Sequence, residues 1–512
     1  MNLLPINRPI IVATGLLFLG SACSRPVPGP APEGGTAEPT RQAPADKAAA
    51  RSWPMLGGSP SRNAVNTVDK MVPTEWSVKE GEHKNIKWIS EIGDRGYGCP
   101  IIAEGRIFVS TNNVKPRDPK VKGHRAVIMC FAEKDGKFLW QTAHDMAPPE
   151  VDQQAKYDGM CSTPSVDGER LYFVTPGCKV VCVQVENGQT AWSYDLMKEL
   201  KVYPCIINAC APLVVGDLVF VMTANGVDEQ GKVPAPEAPS FVALNKKDGT
   251  LKWQSNLPGA NIIHGQWGNP VHAKVNGKAQ VIFPGGDGYL YGLDAADGKM
   301  IWKFQCSPTK EGGKALGPKK RNSYVLSTPV VHDNKVYVGI GAAPDTGYGN
   351  RIGHFWCVDI TKSGDISPVD NNYDAKAPAN KDSGLVWHFG GPTPEGSDRD
   401  CFFGQTLSTC VVHDGLVYAA DMEGYFYCLD AKTGQKYWDH DLKGTIWGSP
   451  SWIDGKVYIG SQDGDVHILA HGKQKKLLGK IEMDQAINSA AVAASGVLYI
   501  TTMRQLFAIA SK

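Results

Sequence analysis

One short phrase recurs along this chain: a polar residue, a glycine and, a few residues later, a tryptophan. Leu-Asp-Ala-Ala-Asp-Gly-Lys-Met-Ile-Trp ends at Trp302, and Leu-Asp-Ala-Lys-Thr-Gly-Gln-Lys-Tyr-Trp ends at Trp438. Earlier copies end at Trp140, Trp192 and Trp253, at successive intervals of 52 and 61 residues. A recurrence at this spacing indicates an array of one supersecondary unit repeated along the chain.

Each unit predicts short strands joined by tight turns. In the unit that begins at Trp447, Asp454-Gly455 and Asp463-Gly464 separate segments in which apolar and polar residues alternate. Such alternation is typical of strands, and Asx-Gly pairs are typical of hairpin turns. In the other units a fourth strand carries the tryptophan. The chain is therefore predicted to be all-β and built from four-stranded antiparallel blades.

The units also begin alike, with small residues and often a proline where the first strand starts and a missing N–H costs least. Eight openings occur, at residues 99–100, 162–164, 210–212, 268–270, 327–329, 408–410, 448–450 and 488–490. The eighth unit ends without a tryptophan strand, whereas Asn85-Ile86-Lys87-Trp88 is such a strand with no unit before it. Pairing the two closes a ring and removes the open sheet edges. We therefore predict one eight-bladed β-propeller over residues 51–512.

An open β-solenoid or two smaller sandwiches would also use short strands. Neither needs the N-terminus to supply a strand that the C-terminus lacks. In a propeller each tryptophan would pack against the neighbouring blade, and burying such a ring is worth several kcal/mol. We therefore interpret these residues as structural: Trp88, Trp140, Trp192, Trp253, Trp302, Trp387 and Trp438.

The N-terminus has the pattern of an export signal. Arg8 precedes an apolar run from Ile10 to Gly20, which is too short to span a bilayer. Gly20-Ser21-Ala22-Cys23 resembles the lipobox of bacterial lipoproteins, and an ordinary cleaved signal peptide is the alternative. We predict a signal over residues 1–23, lipidation of Cys23, a flexible Pro/Ala-rich tether over residues 24–50, and a location on the periplasmic side of the outer membrane.

The charge balance gives no sign of a polyanionic partner. Lys and Arg number 53 and Asp and Glu number 52, a net charge of +1, so no global field draws the chain to nucleic acid or to acidic lipid. We expect a monomer that meets the membrane through its lipid anchor alone. Among the cysteines, Cys178 with Cys182 and Cys205 with Cys210 are candidate disulfides within single loops.

The two faces of the predicted propeller differ in loop length. Turns between the first and second and between the third and fourth strands are short and lie on one face, except for an insertion at 361–386. The long connections gather on the other face: 112–126, 141–160, 193–208, 224–240, 303–325, 341–353 and 388–406. Long loops on a rigid scaffold commonly carry function. Tyr97, Trp267 and Trp447, with Arg321, form our candidate binding rim at the mouth of the channel.

The phrase before Trp438, Gly-Ser-Pro at 448–450 and Gly-Gly-Asp-Gly-Tyr-Leu-Tyr at 285–291 resemble the repeat of the pyrroloquinoline-quinone (PQQ) propeller superfamily. The opening Trp53-Pro54-Met55-Leu56-Gly57-Gly58 is similar to the start of many such chains. The resemblance covers about residues 53–512. One branch, the PQQ-dependent dehydrogenases, would imply a quinone stacked between a tryptophan and a disulfide of adjacent cysteines, a calcium ion and an aspartate base.

This chain departs from that branch. It has no adjacent cysteines and no Cys-x-x-Cys-His motif for haem. Asp287, Asp421 and Asp463, the candidates for calcium, fall in short turns where a carboxylate usually bonds backbone N–H groups. We therefore predict no catalytic residue, no metal ligand and no cofactor.

A second branch, the BamB-type assembly lipoproteins, implies a lipid-anchored, cofactor-free propeller that binds proteins through its loops. The lipobox, the tether and the eight units fit this branch better. We expect an exported, non-catalytic propeller that binds a protein or other ligand on the long-loop face. The alternative is a periplasmic PQQ-dependent alcohol or sugar dehydrogenase that uses PQQ and calcium in an atypical site. A third possible function, a polysaccharide-binding module, is supported by the rim aromatics alone.

Overall fold

The computed structural model describes residues 52–148, 151, 158–206, 208–311, 314–315, 324–341 and 352–511. The predicted signal (1–23), Cys23, the predicted tether (24–50) and Arg321 lie outside these ranges. Within them, no helix is long and apolar enough to cross a lipid bilayer.

Strands make up almost all of the regular structure that is described. Up to residue 305 they are β1 (Val65–Asn66), β2 (Ile86–Glu91), β3 (Ile101–Ala103), β4 (Arg106–Asn112), β5 (Ala126–Ala132), β6 (Phe138–His144), β7 (Ser165–Asp167), β8 (Arg170–Val174), β9 (Lys179–Gln184), β10 (Thr190–Asp195), β11 (Leu213–Val215), β12 (Leu218–Met222), β13 (Phe241–Asn245), β14 (Leu251–Ser255), β15 (Val271–Val275), β16 (Lys278–Pro284), β17 (Tyr289–Asp294) and β18 (Met300–Gln305). A single α-helix is described, α1 (Leu196–Leu200), whose first turn is capped by the Asp195 carboxylate.

The remaining strands continue the same pattern. They are β19 (Lys310–Glu311), β20 (Lys314–Ala315), β21 (Val330–His332), β22 (Lys335–Ile340), β23 (His354–Asp359), β24 (Gly364–Asp365), β25 (Leu385–Pro392), β26 (Cys401–Phe403), β27 (Val411–His413), β28 (Leu416–Ala420), β29 (Tyr425–Asp430), β30 (Lys436–Asp441), β31 (Ser451–Ile453), β32 (Lys456–Gly460), β33 (Asp465–Ala470), β34 (Leu477–Glu482), β35 (Val492–Ala494), β36 (Val497–Thr501) and β37 (Gln505–Ile509). Three short 3-10 turns lie at Gly259–Asn261, Val369–Asn371 and Pro378–Asn380.

These strands form eight blades around a central channel, which confirms the predicted fold. From the inside outward, blades 1 to 4 are β3–β6, β7–β10, β11–β14 and β15–β18, and blades 5 to 7 are β21–β22–β23–β25, β27–β30 and β31–β34. Blade 8 contains β35–β37 and takes its outer strand from the N-terminus, because β2 pairs antiparallel with β37 from Ile86↔Ile509 to Glu91↔Gln505. The first and last strands of the ring therefore share one sheet.

The blade tryptophans share one place in the blades. In blade 2, Tyr172, Cys182 and Trp192 are aligned across the second, third and fourth strands. In other blades Cys130, Cys357 or Cys428 takes the third-strand position opposite the tryptophan. These cysteines are buried free thiols that leave room for the indole ring. Cys178, Cys182 and Cys210 are also free thiols, so neither candidate disulfide forms. The Cys178 thiol instead lies 3.5 Å from the Thr223 carbonyl in blade 3.

Most of these indoles dock on the next blade. The Trp192 Nε1–H of blade 2, for example, donates to the Lys246 carbonyl of blade 3 at 3.0 Å. The equivalent bonds are Trp88 to Glu133, Trp140 to Val185, Trp253 to Ala295, Trp387 to Ala431 and Trp438 to Gly472. In most pairs the turn glycine of the receiving blade lies under the ring, so a Cβ on Gly249 would come within 2.6 Å of Trp192. Those glycine turns therefore also form the surface on which the tryptophan of the preceding blade packs.

Two blade junctions depart from this pattern. In blade 4, Trp302 donates to Gln280 of its own blade at 2.8 Å. The insertion between β23 and β25 covers this ring, since β24 adds to blade 4 as a fifth strand parallel to β18. In blade 7, Gly479 occupies the tryptophan position. Trp76, which precedes β2, fills the gap between blades 7 and 8 and is 3% exposed.

The channel is lined by an additional segment, residues 52–69, which we call the channel segment. It follows the inner strands in blade order, beginning with Trp53 bonded to Ile102 in blade 1 and Pro54 to Val166 in blade 2. The later bonds join Pro60 to His272, Ser61 to Val331, Asn63 to Val412, Ala64 to Trp452 and Asn66 to Ala493 in blades 4 to 8. In blade 3, the Arg62 side chain bonds to the Ala211 and Pro212 carbonyls, and Met55 belongs to the buried apolar cluster of blades 2 to 4. One segment therefore contacts all eight blades and closes the channel at the short-turn end.

A glycine pair tests the docking of tryptophan on the turns. Gly249 and Gly216 both have positive φ, but only Gly249 lies under an indole, whereas the space beside Gly216 is open. Gly216→Ala is expected to cost about 1 kcal/mol of unfolding free energy through its backbone conformation. Gly249→Ala adds an overlap with Trp192 and is expected to cost a further ~1–3 kcal/mol. Urea unfolding followed by tryptophan fluorescence measures both, and equal losses would contradict the docking role.

Candidate functional site

The inner strands begin at the long-loop end of the channel, where two rings of residues encircle it. The neck ring is the residue just before the inner-strand proline, or its equivalent, in each blade: Cys99, Thr163, Ala211, Asn269, Thr328, Thr409, Ser449 and Ala490. The mouth ring lies two residues earlier: Tyr97, Cys161, Ala209, Trp267, Leu326, Leu407, Trp447 and Asn488. Most of the neck ring is buried and most of the mouth ring is half-buried, so the mouth ring is the more open to solvent.

Hydrogen bonds between blades hold the neck ring together. The Cys99 backbone N–H donates to the Thr163 hydroxyl at 3.2 Å, and the Ala211 backbone N–H donates to the side-chain amide oxygen of Asn269 at 2.6 Å. Asn269 in turn donates to the Thr328 hydroxyl at 2.7 Å. Similar bonds run from Thr409 to Ser449 and from Ala490 to Cys99. The neck is therefore a ring of small residues that hydrogen bonds between blades hold in place.

The three predicted rim aromatics occupy mouth-ring positions in blades 1, 4 and 7. Trp267 donates to the Cys205 carbonyl at 3.3 Å and packs beside Leu326 and Leu407. Burial, with a smaller contribution from the carboxylate of Asp158, raises the pKa of Tyr97 to about 12. The three rings belong to separate blades rather than to one aromatic patch. Their role in binding stays a prediction, as does that of Arg321.

An aromatic cluster that the repeat pattern did not single out lies beside Trp267. His264 stacks on Tyr324 with ring centroids 5.1 Å apart and meets Trp267 edge-on at 5.2 Å. The residues of this cluster precede the inner strands of blades 4 and 5. Sequence reasoning had no signal for it, because His264 and Tyr324 have no counterparts in the other units. One wall of the mouth is therefore aromatic and apolar.

Two of the three calcium candidates are already bonded within the protein. Asp287 accepts from the Tyr291 hydroxyl at 2.6 Å and from the Tyr289 N–H at 3.2 Å. Asp421 is fully buried and accepts from the Tyr427 hydroxyl at 2.6 Å and from Arg399 at 3.0 Å. Both carboxylates thus brace the turns in which they lie. No shared metal position links them, and the described residues contain no group of three or more His, Cys, Asp or Glu that could hold a metal ion.

Arg399 shows how a long loop is fixed to the neighbouring blade. It follows β25 of blade 5 and donates to Asp421 and Glu423 of blade 6, with the Glu423 bond at 2.9 Å. Its guanidinium also lies 3.7 Å from the centre of the Tyr425 ring, a cation–π contact. Because these contacts are largely buried, this part of the long-loop face is held rigidly.

Histidine pairs bond within and between outer strands. His354 and His388 lie 2.8 Å apart in blade 5, and His440 of blade 6 lies 2.9 Å from His467 of blade 7. Burial lowers the pKa of both His354 and His467 to about 4. The pairs are therefore neutral at pH 7 and act as hydrogen-bonded packing units.

A cleft of about 560 Å³ opens at the long-loop end between blades 1 and 2. Met146 and Met197 supply apolar walls, and Lys179 with Asp195 supplies an ion pair of 3.6 Å. The basic loop at 112–126 is partly neutralised nearby, since Lys115 pairs with Glu91 at 3.1 Å and Arg125 with Asp145 at 3.7 Å. A second loop rich in Lys and Arg, at 303–325, lies partly outside the described residues, including Lys319, Lys320 and Arg321.

Comparison with known proteins shows which family the repeated units match. The family model described as outer membrane protein assembly factor BamB matches residues 124–364 and 374–477. The chain belongs to this family. A BamB of Moranella endobia is 23% identical over 311 residues, covering 59% of this chain and 70% of that protein. The BamB-type family thus accounts for the repeated units.

A quinoprotein enzyme also matches this chain in sequence. The alcohol dehydrogenase PedH of Pseudomonas putida is 24% identical over 435 residues, covering 75% of this chain and 64% of the enzyme, less than two thirds of its length. The crystal structure of BamB from Moraxella catarrhalis superposes with a TM-score of 0.54 at 15% identity, covering 82% of this chain and 98% of that one. At this identity the superposition shows the fold alone.

The described residues do not fit the quinone site that the dehydrogenase branch implies. The chain has no adjacent cysteines to form the disulfide over the quinone. The carboxylates of Asp287 and Asp421 already accept hydrogen bonds from tyrosine hydroxyls and backbone N–H groups. They are therefore not available as calcium ligands. A site of that type would have to use other residues in another arrangement.

The buried Asp287 carboxyl makes stability depend on pH. Burial raises its pKa from 3.8 to about 6, although the Tyr291 hydrogen bond opposes the shift. Because the folded state binds this proton more tightly than the unfolded chain, Asp287 by itself is expected to remove roughly 2–3 kcal/mol of stability as the pH rises from about 4 to 6, against an opposite change from His354 and His467, whose pKa values are lowered. Asp287→Asn removes this loss. Urea midpoints of both proteins at pH 4, 5, 6 and 7 measure the difference, and parallel pH profiles would contradict the assignment.

Proposed function

We propose that this protein is an exported, lipid-anchored propeller without catalytic activity that binds a protein partner through its long-loop face. The observation that carries the proposal is the unequal distribution of connections between the two faces. The short-turn face consists mainly of tight turns and is closed at its centre by the channel segment. The long-loop face carries the mouth of the channel, the cleft between blades 1 and 2, and the buttressed Arg399 loop.

Membership of the BamB-type family supports this role, because the matched model is that of an outer membrane protein assembly factor. We infer from it a place in the bacterial envelope and a partner within the machinery that assembles outer membrane proteins. Cys23 supplies the lipid anchor in this proposal, and the segment to residue 50 supplies the tether. These assignments rest on the sequence pattern.

The long-loop face offers exposed apolar side chains for docking. Val114, in the loop after β4, is 51% exposed, and Phe402, in β26, is 47% exposed. Both stand on connections that the neighbouring structure holds in place. Exposed apolar groups on rigid loops gain free energy when a partner covers them, by about 25 cal/mol for each Å² removed from water.

The alternative is a PQQ-dependent dehydrogenase with an atypical site, and the likeness to PedH over 75% of this chain favours it. PQQ would supply a redox-active quinone to such a site. Trp267 and Trp447 in the mouth ring are the residues that would stack on it. The carboxylates of Asp287 and Asp421 are hydrogen-bonded within the protein, so the calcium ion of such a dehydrogenase would have no assigned ligands. This weighs against the alternative.

Charged substitutions on the two faces test the docking surface. Val114→Asp with Phe402→Asp is expected to lower partner capture from solubilised native envelopes at least tenfold, because burying an unpaired carboxylate costs more than ~1.4 kcal/mol. The matched control is Leu251→Asp with Met300→Asp, at exposed positions of 37% and 47% beside the short turns. Equal losses in both variants, or none in the first, would contradict the proposal. In the same fractionation, Cys23→Ser is expected to release the chain from the membrane.

Addition of PQQ and calcium to the purified protein separates the two functions. The scaffold proposal expects neither stoichiometric quinone binding nor dye reduction with alcohols or sugars, measured by absorbance after gel filtration. PedH serves as the positive control for reagents and substrates. Stoichiometric binding with turnover would replace the scaffold by the dehydrogenase.

A further inference from the structure

Blade 7 departs from the repeat at its short-turn end. Its third strand ends and its fourth strand begins around residues 470–476, Ala-His-Gly-Lys-Gln-Lys-Lys, which contain three lysines and no acidic residue. The corresponding stretches of blades 1, 2, 3, 4 and 6 each contain at least one Asp or Glu. Lys473, Lys475 and Lys476 are all exposed. This turn therefore adds three positive charges to the short-turn face.

The contacts of these lysines do not neutralise their charges. Lys473 lies 4.9 Å from the centre of the Tyr437 ring in blade 6. Lys475 donates to the main-chain carbonyl of Asp439 at 2.9 Å. An aromatic ring and a carbonyl oxygen are both neutral groups, so the positive charges remain available to an anion from solution.

The adjacent turn of blade 7 supplies no countercharge either. The His471 N–H donates to the Gly455 carbonyl at 2.9 Å, so the two turns of the blade lie side by side. The Asp454 carboxylate of that turn already pairs with Lys456 at 3.0 Å and with Lys70 at 3.6 Å. This end of blade 7 therefore has a local excess of positive charge, although the whole chain has a net charge of only +1.

Exposed apolar side chains accompany the lysines. Ten large apolar side chains are exposed in the part of the chain that the structure describes, and four of them lie at this end: Val68, Met71, Leu477 and Leu478. Leu477 and Leu478 begin β34, directly after the lysines. Met71 is 83% exposed, and its N–H donates to the Asp454 carboxylate at 2.9 Å. A concentration of exposed apolar groups marks an interaction surface.

The glycine at the tryptophan position of blade 7 explains how these groups come together. The chain after the channel segment crosses the blade there, and a Cβ on Gly479 would lie 2.9 Å from the Thr74 carbonyl oxygen. The Tyr458 hydroxyl of the same blade donates to the Pro73 carbonyl at 3.0 Å. A tryptophan in place of Gly479 would occupy this path. Residues 71–74 are therefore fixed on blade 7, next to the strand that begins with Leu477.

This end of blade 7 lies on the face at which the predicted tether meets the ring. Residue 52 follows the tether and begins the channel segment, which closes the short-turn end of the channel. If Cys23 carries lipid, the membrane is reached from this segment, a step that rests on the proposed function. Lysines attract anionic lipid headgroups, and apolar side chains beside them enter the boundary between headgroups and acyl chains.

We propose that this surface, which we call the blade 7 patch, rests on a membrane that contains anionic lipids. The patch consists of Lys473, Lys475, Lys476, Met71, Leu477 and Leu478. The lipid anchor retains the protein at the membrane, and the patch orients the ring so that the long-loop face points away from the bilayer toward a protein partner. The membrane contact is thus wider than the anchor alone, contrary to the expectation from net charge.

Vesicle binding tests the patch without the lipid anchor. The chain from residue 24 onward contains every described strand of the ring and forms one compact unit from residue 47, so it can be used free of lipid. It is expected to sediment with phosphatidylglycerol vesicles at low salt, to be released as sodium chloride is raised, and not to sediment with phosphatidylcholine vesicles. No preference for the anionic vesicles would overturn the proposal.

A pair of charge substitutions tests the lysines. Lys475→Gln with Lys476→Gln is expected to weaken binding to the anionic vesicles roughly tenfold or more, because each lysine near the surface contributes to the attraction. The matched control is Lys134→Gln with Lys137→Gln, which removes the same charge from the corresponding turn of blade 1 and is expected to bind like the wild type. Equal weakening in both pairs would assign the binding to overall charge and overturn the patch.

A pair of apolar substitutions tests the insertion. Met71→Gln with Leu477→Gln is expected to weaken binding about tenfold through the loss of buried apolar area. Leu251→Gln with Met300→Gln is the control, because these exposed residues begin the fourth strands of blades 3 and 4 as Leu477 does in blade 7. A loss of the same size in the control, or none in the first pair, would contradict the apolar contact.

The whole protein in its native envelope provides a second measurement. A photo-crosslinking amino acid at Leu478 is expected to form lipid adducts, detected by mass spectrometry, and the same probe at Leu251 is not. A protein adduct at Leu478 would show that a protein covers the patch and would overturn the proposal. Failure of Cys23 as the lipid site leaves the vesicle result unchanged, so the two proposals fail separately.

Discussion

The unpaired inner edges of eight short strands are the constraint on which this structure depends. A propeller closes its outer circumference by pairing the last blade with the first strand, but each inner strand still presents backbone N–H and C=O groups to the channel. Here the channel segment satisfies these groups blade by blade, from Trp53 on blade 1 to Asn66 on blade 8. The same stretch leads to Trp76 and β2, so the N-terminus completes both the inside and the outside of the ring.

Much of this architecture follows from the sequence because its determinants are local and repeated. The Asp-Gly turns, the spaced tryptophans and the lone Trp88 strand correctly predicted the blade count and the ring closure. The channel segment was not predicted, because its partners lie up to several hundred residues away and its residues follow no period. In the sequence, Trp53 to Gly58 carries only a resemblance to the start of PQQ-type propellers. In the structure, Gly57 packs against the Arg62 backbone, where a Cβ would come within 2.4 Å of its carbonyl oxygen.

For the candidate site, the sequence predicted the level of the rim aromatics in the fold, whereas their part in binding stays a prediction. Aligning the blade openings placed Tyr97, Trp267 and Trp447 at one level, and their strands do begin at the mouth of the channel. The bonding of Asp287 and Asp421 to tyrosine hydroxyls depends on strand register, which sets a side chain four or six residues away beside each carboxylate. The interblade hydrogen bonds of the neck ring form only when all blades are assembled, since each blade contributes one or two atoms.

The length of the channel segment has a consequence for how such a protein can evolve. A ring of seven or nine blades has a different inner circumference, so a segment that meets every blade in turn in this ring would fall short or buckle in another. Duplication of a blade would therefore leave one inner strand without its contact to the channel segment. Loss of a blade would leave the segment too long for the channel. Repeat proteins change size most simply by duplicating a repeat in the gene. Here such a duplication would require a simultaneous change in the channel segment, which does not repeat.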